Sequence, residues 1–499
     1  MKRLSLNMIV AVACNILTII FSIIAQRFVL VSFGSEINGL TASIAQFMTY
    51  FALLESGLGL ASIQALYRPF ALGDKGHVSR ILAATSKQYH KIGIVFFVLT
   101  VSLAFAMPFI SESSLNPAII FKITVLSGMP SVISYSFIGR YQTLLSADRK
   151  EYLINALNAC LGIGFNVVRI IMINLGCSIT TVLAAVLFSP LIRFLFLHYY
   201  VRRHYDYAFN NKEEPDFKAI AKRKNVLIHQ IVGLITNQSS VALLTVFSTL
   251  NEVSKYSVYN LIYSHLFSVI NSTFSTATQA SFGRWIECKD ARLDRYYEIY
   301  ETLFTCALFC LMSVVCVVTI PFVSNYTHGV KGVDYIDGLL ALLFMISSLF
   351  STSRIPAMMM INATGSFAET QKGAIGEAIL SITISIPAFF ILGIRGVVFG
   401  TCVAIFYRML DIERFVYHNI LHTSIKRFVK LIVVNSSIMI SYIALFMVIK
   451  SPTANGWIAW LLLGVKQMII AILLFGTACG VVYGKRIYLI WKEIRYKYM

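Results

Sequence analysis

The chain has 499 residues, of which 57% are hydrophobic and 13% are charged, and its mean hydropathy is +0.74. These values exclude an ordinary soluble globular domain and indicate an all-α integral membrane protein. The formal net charge of +19 would suggest a nucleic-acid partner in a soluble protein, but in a membrane protein the distribution of that charge over the loops decides its meaning.

Apolar segments of about 20 residues or more recur along nearly the whole chain, and we count about 14 of them as predicted membrane-spanning helices. In chain order they cover residues 7–31, 40–66, 92–110, 118–144, 153–175, 178–200, 226–249, 257–281, 299–323, 338–362, 374–393, 396–418, 430–449 and 457–482. An even number of spans places both termini on the same side of the membrane.

Lysine and arginine are concentrated on alternate loops. The predicted outside loops hold only Lys255, Lys331, Arg395 and Lys450, whereas the opposite loops and tails hold 31 such residues. This positive-inside bias predicts a multi-pass membrane protein with both termini in the cytoplasm, and it removes the need for a nucleic-acid partner.

The segment Ser257 to Gln279 is long enough to span a membrane, yet it carries a polar stripe. At about 100° per residue, its polar side chains fall within an arc of roughly 100°. They are Ser257, Asn260, Ser264, Ser268, Asn271, Ser275, Thr278 and Gln279. Lipid would leave these groups without hydrogen bonds, so the stripe faces either a water-filled cavity or a neighbouring helix with which it hydrogen bonds.

Three other predicted helices carry similar stripes. The first has Asn7, Asn15, Thr18, Ser22 and Gln26; the second has Gln46, Thr49, Tyr50, Gly57 and Gln64; the seventh has His229, Gly233, Thr236 and Ser240, with Asn237 beside them. Two hairpins about half a chain apart, each with matching polar faces, favour a shared polar cavity.

The chain repeats weakly at an offset of about 216 residues. Glu36 corresponds to Glu252, and Asp74 corresponds to Asp290. We interpret this as a parallel repeat of six helices. The predicted domains are an N-terminal lobe at residues 1–210, a C-terminal lobe at 211–422, and a helix pair with a basic cytoplasmic tail at 423–499.

Four arginines lie inside predicted spans, where ionised groups are costly and are therefore candidates for function. Arg27 and Arg169 lie about 10 to 13 Å from the outer surface, and Arg193 and Arg354 lie about 22 to 24 Å from it. Guanidinium groups at two depths suit a diphosphate headgroup, because arginine forms forked bonds to phosphate oxygens. Alternatively, these arginines neutralise carboxylates, bond to free carbonyl groups near prolines, or extend to the interface.

Glu55 is the acidic residue well inside an early span, at the depth of Arg193. A structural ion pair with Arg193 is one interpretation. The other is that Glu55 binds a proton or a sodium ion and couples transport to the gradient of that ion.

The run FGSEINGLTASIAQFMTYFALLESGLGLASIQALYRPFALGD, followed by a basic loop and KIG at residues 91–93, resembles the polysaccharide transporters of the multidrug/oligosaccharidyl-lipid/polysaccharide exporter (MOP) superfamily. These are the Wzx-type flippases for O-antigen and other lipid-linked repeat units. The resemblance implies a V of two lobes, with the first, second, seventh and eighth helices lining a cavity. It also implies an undecaprenyl-diphosphate-linked oligosaccharide as substrate, and a polymerase and glycosyltransferases as possible partners.

The predicted sites follow from the stripes, the charges and this resemblance. The predicted substrate-binding residues are Arg27, Arg169, Arg193, Arg354, Asn15, Ser22, Gln26, Gln46, Gln64, Asn237, Ser264, Asn271 and Gln279, and Glu55 is the candidate for ion coupling. We predict no catalytic residue, no metal and no cofactor beyond a possible proton or sodium gradient.

Several other classes of protein remain as alternatives. A peptidoglycan-precursor flippase and a multidrug cation antiporter belong to the same superfamily, although a cation cavity should be acidic. A membrane polymerase or ligase usually needs a large external loop, and the outside loops here are short. No GxxxxGK[ST] motif for nucleotide binding occurs in the sequence, and a purely structural scaffold does not explain four polar stripes.

Overall fold

The computed structural model describes residues 2–55, 57–206, 214–217, 219, 239–288, 292–448 and 456–496. Helices dominate these ranges, and no β-strand occurs in them. This confirms the predicted all-helical class. Helices suit a membrane because their backbone groups hydrogen bond within the helix, where lipid offers no partner.

The first compact unit comprises Met1–Ser257 and Gly329–Val333. Its helices are α1 (Lys2–Phe33), α2 (Ser35–Phe51), α3 (Leu58–Leu72), α4 (Lys75–Ile110), α5 (Pro117–Ile133), α6 (Gly139–Ala147), α7 (Glu151–Asn174), α8 (Ile179–Val186) and α9 (Phe188–His204). A short helical stretch at residues 239–247 and the first turns of α10 (Leu250–Glu287) also belong to it.

The second unit comprises Val258–His328 and Asp334–Met499. Besides the rest of α10, it contains α11 (Leu293–Tyr326), α12 (Gly338–Ser353), α13 (Ile355–Thr364), α14 (Phe367–Leu392), α15 (Ile394–Phe415), α16 (Lys426–Val448) and α17 (Trp457–Tyr496). The lobe boundaries drawn from the sequence stay a prediction.

Eleven stretches of the described chain are long and apolar enough to cross a membrane. Helices α10 and α15 are not among them, although they have 38 and 22 residues. The predicted span at 226–249 lies largely outside the described residues. The eleven stretches are therefore compatible with the predicted fourteen spans, and the chain is a multi-pass membrane protein.

Three predicted spans are broken rather than continuous. In the second span, α2 ends at Phe51 and α3 begins after Gly57, which has φ +78°, a region that favours glycine. The sixth span breaks at Leu187, three residues before Pro190. The tenth breaks at Arg354, and Pro356 then lies in the first turn of α13, where its missing N–H is tolerated.

Side-chain caps fix several helix starts. Asp74 accepts a hydrogen bond from the backbone N–H of His77 at 2.9 Å, so α4 begins at Lys75. Asn116 caps α5 in the same way through Ala118 at 2.9 Å. Such caps satisfy N–H groups that have no partner within the helix.

The turn between α6 and α7 is tied to the end of α9. Lys150 Nζ lies 2.9 Å from the Asp148 carboxylate and 2.8 Å from the Tyr205 hydroxyl. The hydrogen bond to Tyr205 raises the pKa of the Lys150 amine, and burial raises the pKa of the Tyr205 phenol. Tyr205 in turn donates a hydrogen bond to Asp148.

Candidate functional site

The polar stripe of α10 lies on an exposed face of the helix. The stripe residues Asn260, Ser264, Ser268 and Asn271 are all exposed. The buried face of the same helix carries Tyr259, whose hydroxyl donates to the carbonyl of Tyr335 at 2.7 Å, and Tyr263, whose ring stacks on Phe344. The helix therefore divides into a packed aromatic face and a polar face that does not pack in the protein core.

Polar side chains of the first two helices are partly used in helix packing. Gln26 donates to Asn38 at 2.6 Å, and Asn38 donates to Ser254 at 2.7 Å and to Ser257 at 3.0 Å. These bonds join α1, α2 and the start of α10 within the first unit. For Gln26 and Ser257, the structure therefore supplies the interhelical hydrogen bonding that the sequence allowed as an alternative.

The remaining predicted stripe residues differ in exposure. Asn15 and Gln64 are exposed, and Ser22 is half-buried. Gln46 is buried, and its Nε2 has no hydrogen-bond partner in the structure. Asn237, His229 and the side chain of Gln279 lie outside the described residues.

Glu55 lies at the break between α2 and α3. Its Oε1 accepts a hydrogen bond from the Tyr89 hydroxyl at 2.8 Å and another from the backbone N–H of Gly59 at 3.2 Å. A Cβ on Gly59 would lie 2.8 Å from that same oxygen, so a larger residue there would force the Glu55 side chain to shift. Glu55 and Arg193 are both described and form no ion pair, so the structure does not support the interpretation of Glu55 as the partner of Arg193. Tyr89 of α4 and the Gly59 amide of α3 hold the Glu55 Oε1 instead.

Two arginines inside the spans of the first unit, Arg169 and Arg193, have no acidic partner among the described residues. Arg169 on α7 and Arg193 on α9 are half-buried, and neither makes a hydrogen bond or an ion pair with a described residue. Helices α7 and α9 pack against each other. Arg27 on α1 is also half-buried. Without counter-ions, Arg169 and Arg193 keep a positive charge available for an anion.

In the second unit, the arginines inside the predicted spans form ion pairs with carboxylates. Arg354 Nη1 lies 3.0 Å from the Glu377 carboxylate, and Arg408 Nε lies 3.7 Å from the other oxygen of Glu377. Arg408 also pairs with Asp411 and donates to the carbonyl of Thr370 at 2.9 Å. We call Arg354, Glu377, Arg408 and Asp411 the four-charge network.

Glycine makes room for the four-charge network. A Cβ on Gly373 would lie 1.8 Å from Asp411 Oδ2 and 2.4 Å from Arg408 Nη1. Glu377, Arg408 and Asp411 were not predicted as site residues from the sequence. The spacing of Arg408 and Asp411, three residues apart on one helix face, is the sequence pattern that could have indicated their ion pair. The substrate role predicted for Arg354 stays a prediction, and Glu377 neutralises its charge.

An open cavity lies in each unit. In the first unit, a cavity of about 480 Å³ is lined by Ser86, Lys87, His90, Lys91, Ser136, Phe137, Arg140, Phe194 and His198. In the second unit, a groove of about 540 Å³ between α16 and α17 is lined by Val433, Val434, Ser437, Ile438, Leu474, Thr477, Ala478, Val481 and Val482. The first cavity is basic, and the groove is almost wholly apolar.

The fold is similar to that of solved membrane transporters, one of them from the MOP superfamily, and arginines lie inside predicted spans in both helical units of this chain. By sequence, the chain matches no protein-family model and no curated protein.

Solved structures define the fold. The lipid II flippase MurJ in an inward closed conformation is similar with a TM-score of 0.72 and 12% identity, over 96% of this chain and 100% of that one. An inward-facing multidrug resistance MATE transporter is similar with a TM-score of 0.60 and 14% identity, over 81% of this chain and 96% of that one. A point mutant of the Vibrio cholerae MATE transporter VcmN is similar with a TM-score of 0.52 and 13% identity, over 83% of this chain and 99% of that one.

Proposed function

We propose that this protein is a flippase that carries undecaprenyl-diphosphate-linked oligosaccharide repeat units from the cytoplasmic to the outer leaflet by alternating access. The observation that carries the proposal is that Arg169 and Arg193, inside the predicted spans of the first unit, have no counter-ion in the described part of the chain. A lone guanidinium in a membrane-spanning helix is costly. A diphosphate that bound there would supply the missing charge through forked hydrogen bonds.

The basic cavity of the first unit supports an anionic substrate. Its lining includes Lys87, Lys91 and Arg140, together with His90 and His198, and no acidic residue. It lies where α4 enters its predicted span from the cytoplasmic side. A positive cavity at that position would raise the local concentration of a lipid diphosphate before transfer.

The apolar groove between α16 and α17 supports a lipid-linked substrate. Its lining is dominated by valine, leucine and isoleucine. A polyprenyl chain that lay there would exchange lipid contacts for similar apolar contacts, at little cost in free energy.

The similarity to a lipid II flippase and the resemblance of residues 33–74 to polysaccharide transporters agree with this proposal. A peptidoglycan-precursor flippase remains the second candidate, because its substrate carries the same diphosphate and would use the same arginines. We expect a polymerase and glycosyltransferases of the same pathway as partners.

We further propose that Glu55 couples transport to a proton or sodium gradient. Its place at a helix break, where Tyr89 and the Gly59 amide hold one carboxylate oxygen, suits a group that changes its charge as the helix moves. Transport by Glu55→Gln should lose its dependence on the gradient. Full transport by this variant at every pH would refute the role of Glu55.

The test of the function is to delete the gene and locate the lipid-linked intermediates with a membrane-impermeant probe. The proposal predicts complete single repeats that accumulate with their sugars on the cytoplasmic face. Accumulated peptidoglycan precursor would establish the second candidate. Repeats exposed on the outer face would indicate a polymerase or ligase, and the absence of any accumulation would favour a drug exporter.

A further inference from the structure

The second unit buries a carboxylate that has no hydrogen-bond partner. Glu413, near the end of α15, is 0% exposed, and neither of its carboxylate oxygens has a partner in the structure. An ionised carboxylate in such a place loses its hydration without compensation, which costs many kcal/mol. The burial of Glu413 therefore favours its neutral, protonated form over its ionised form.

A second buried carboxylate lies within electrostatic reach of Glu413. Glu301 on α11 is 2% exposed and interacts electrostatically with Glu413. One of its oxygens accepts a hydrogen bond from Tyr417, in the π-helical turn Val416–Ile420, and the other oxygen has no partner. The hydroxyl of Tyr297, also buried, lies within electrostatic reach of both carboxylates. Two buried carboxylates that interact in this way do not both ionise at neutral pH, because each disfavours the charge of the other.

The two neighbouring arginines, Arg427 and Arg486, form their ion pairs with carboxylates other than Glu413. Arg427 Nη1 lies 3.0 Å from Asp294 and 3.2 Å from Glu298, whereas its Nε is 3.9 Å from Glu301. Arg486 pairs with Glu298. Three carboxylates thus share two guanidinium groups, and Glu413 makes no ion pair with a described residue.

The other charged groups packed against α15 belong to a different cluster. Asp411 and Glu413 are two positions apart and so point about 160° from each other around the helix. Arg354, Glu377 and Arg408 are paired within the four-charge network, and Glu369 and Lys372 of α14 are exposed.

We propose that Glu413 is a proton-binding site, which holds a proton at neutral pH and shares it with Glu301. Loss of this proton would place a new negative charge beside Arg427, in competition with Asp294 and Glu298. Those ion pairs connect α11 with α16, and Arg486 connects α11 with α17. The proton therefore sets how firmly the last two helices are held to α11.

The direct test is infrared difference spectroscopy of the purified full-length protein through a series of pH steps, in H₂O and in D₂O. We expect a carbonyl band of a protonated carboxylic acid at neutral pH that shifts in D₂O, is lost in Glu413→Gln, and moves in Glu301→Gln. The matched control Glu369→Gln removes an exposed carboxylate of the same unit and should keep the band. Absence of the band in the wild type, or its persistence in Glu413→Gln, would overturn the proposal.

Replacement of sodium tests whether the site binds a proton or a sodium ion. The band should be unchanged when sodium is replaced by choline. A carboxyl group that is ionised in sodium and protonated only in choline would instead identify a sodium site, and proton binding as proposed would be wrong. Folding of each variant is checked by its elution as a single species, and Glu301→Gln tests the site should Glu413→Gln fail to fold.

The use of this proton for coupling rests on the proposed function. In proteoliposomes loaded with a lipid-linked oligosaccharide, a pH gradient should accelerate flipping by the wild type, and Glu413→Gln should lose that acceleration. If the wild type moves no such lipid but keeps the infrared band, the proposed function fails and the proton site stands. If the wild type flips the lipid and shows no band, the proton site alone fails.

Discussion

The two helical units place arginines inside the membrane under opposite conditions. In the first unit, Arg169 and Arg193 have no counter-ion among the described residues, and the carboxylate of Glu55 is hydrogen bonded to Tyr89 and to the Gly59 amide. In the second unit, Glu377 and Asp411 neutralise Arg354 and Arg408. The comparison predicts that loss of a paired arginine destabilises its unit, whereas loss of an unpaired arginine affects the binding of the proposed anionic substrate.

The largest expected effect is on stability, in the second unit. Arg408→Met would leave Glu377 and Asp411 with less compensation in a buried site, since the Arg408 side chain is 7% exposed. Removal of one partner from such a network costs about 3–5 kcal/mol. The free energy of unfolding, measured in mixed micelles, should fall by about that amount. The matched variant Arg193→Met in the first unit should leave the free energy of unfolding unchanged or raise it, because a half-buried charge without a counter-ion among the described residues is removed. Equal losses in both variants would contradict the comparison.

The next largest expected effect is a loss of stability caused by overpacking of the four-charge network. Gly373→Ala would put a Cβ 1.8 Å from Asp411 Oδ2, and overpacking of this kind costs about 1–3 kcal/mol. Gly164→Ala on α7 is the control, because nothing lies within 4 Å of its Cβ. That variant should be neutral or gain about 0.5–1 kcal/mol of stability through helix propensity. Thermal unfolding of the two variants side by side measures the difference.

For transport activity, we expect the larger effect from arginine substitutions in the first unit. Arg169→Met and Arg193→Met should each reduce flipping of a lipid diphosphate in proteoliposomes about tenfold or more, which corresponds to about 1.4 kcal/mol. The amount of folded protein should stay the same. Arg68→Met, which removes an exposed arginine of the same unit, is the control and should flip at the wild-type rate. Wild-type transport by both intramembrane variants would remove the basis of the proposed function.

The smallest effect concerns polar helix packing in the first unit. The hydroxyl groups of Ser43 and Thr245 lie 2.7 Å apart and are buried. Interhelical hydrogen bonds in membrane proteins contribute about 0.6 kcal/mol each. A double-mutant cycle with Ser43→Ala and Thr245→Val should return a coupling energy near that value. A coupling of zero would mean that these polar residues do not hold the helices together.

The helical class and most spans follow from hydropathy, because a run of about 20 apolar residues is long enough to cross the bilayer. The polar face of α10 also follows from periodicity, and Asn260, Ser264 and Asn271 are exposed as a group. The helix breaks were less accessible. Gly57 and Pro356 mark two of them, but such residues also occur within continuous membrane helices.

Partners of charged residues were the least predictable part of the candidate site. Glu55 and Arg193 were matched by depth alone, yet a side chain's partner depends on helix rotation and on neighbours such as Tyr89. The contact between Arg427 and Asp294 joins positions 133 residues apart. Depth along a helix is readable from sequence, whereas the direction a helix faces is decided by packing among all its neighbours.

The four-charge network also constrains how this sequence can change over generations. Arg354, Glu377, Arg408 and Asp411 neutralise one another over the side-chain space left by Gly373. A substitution at one of these five positions leaves an uncompensated charge or a steric clash at another, so we expect it to be tolerated only together with a matching second substitution. Arg169 and Arg193 have no counter-ion among the described residues, so a substitution of either leaves no unpaired carboxylate behind. We therefore expect the first unit to accept single substitutions at these positions, where the second unit would need paired ones.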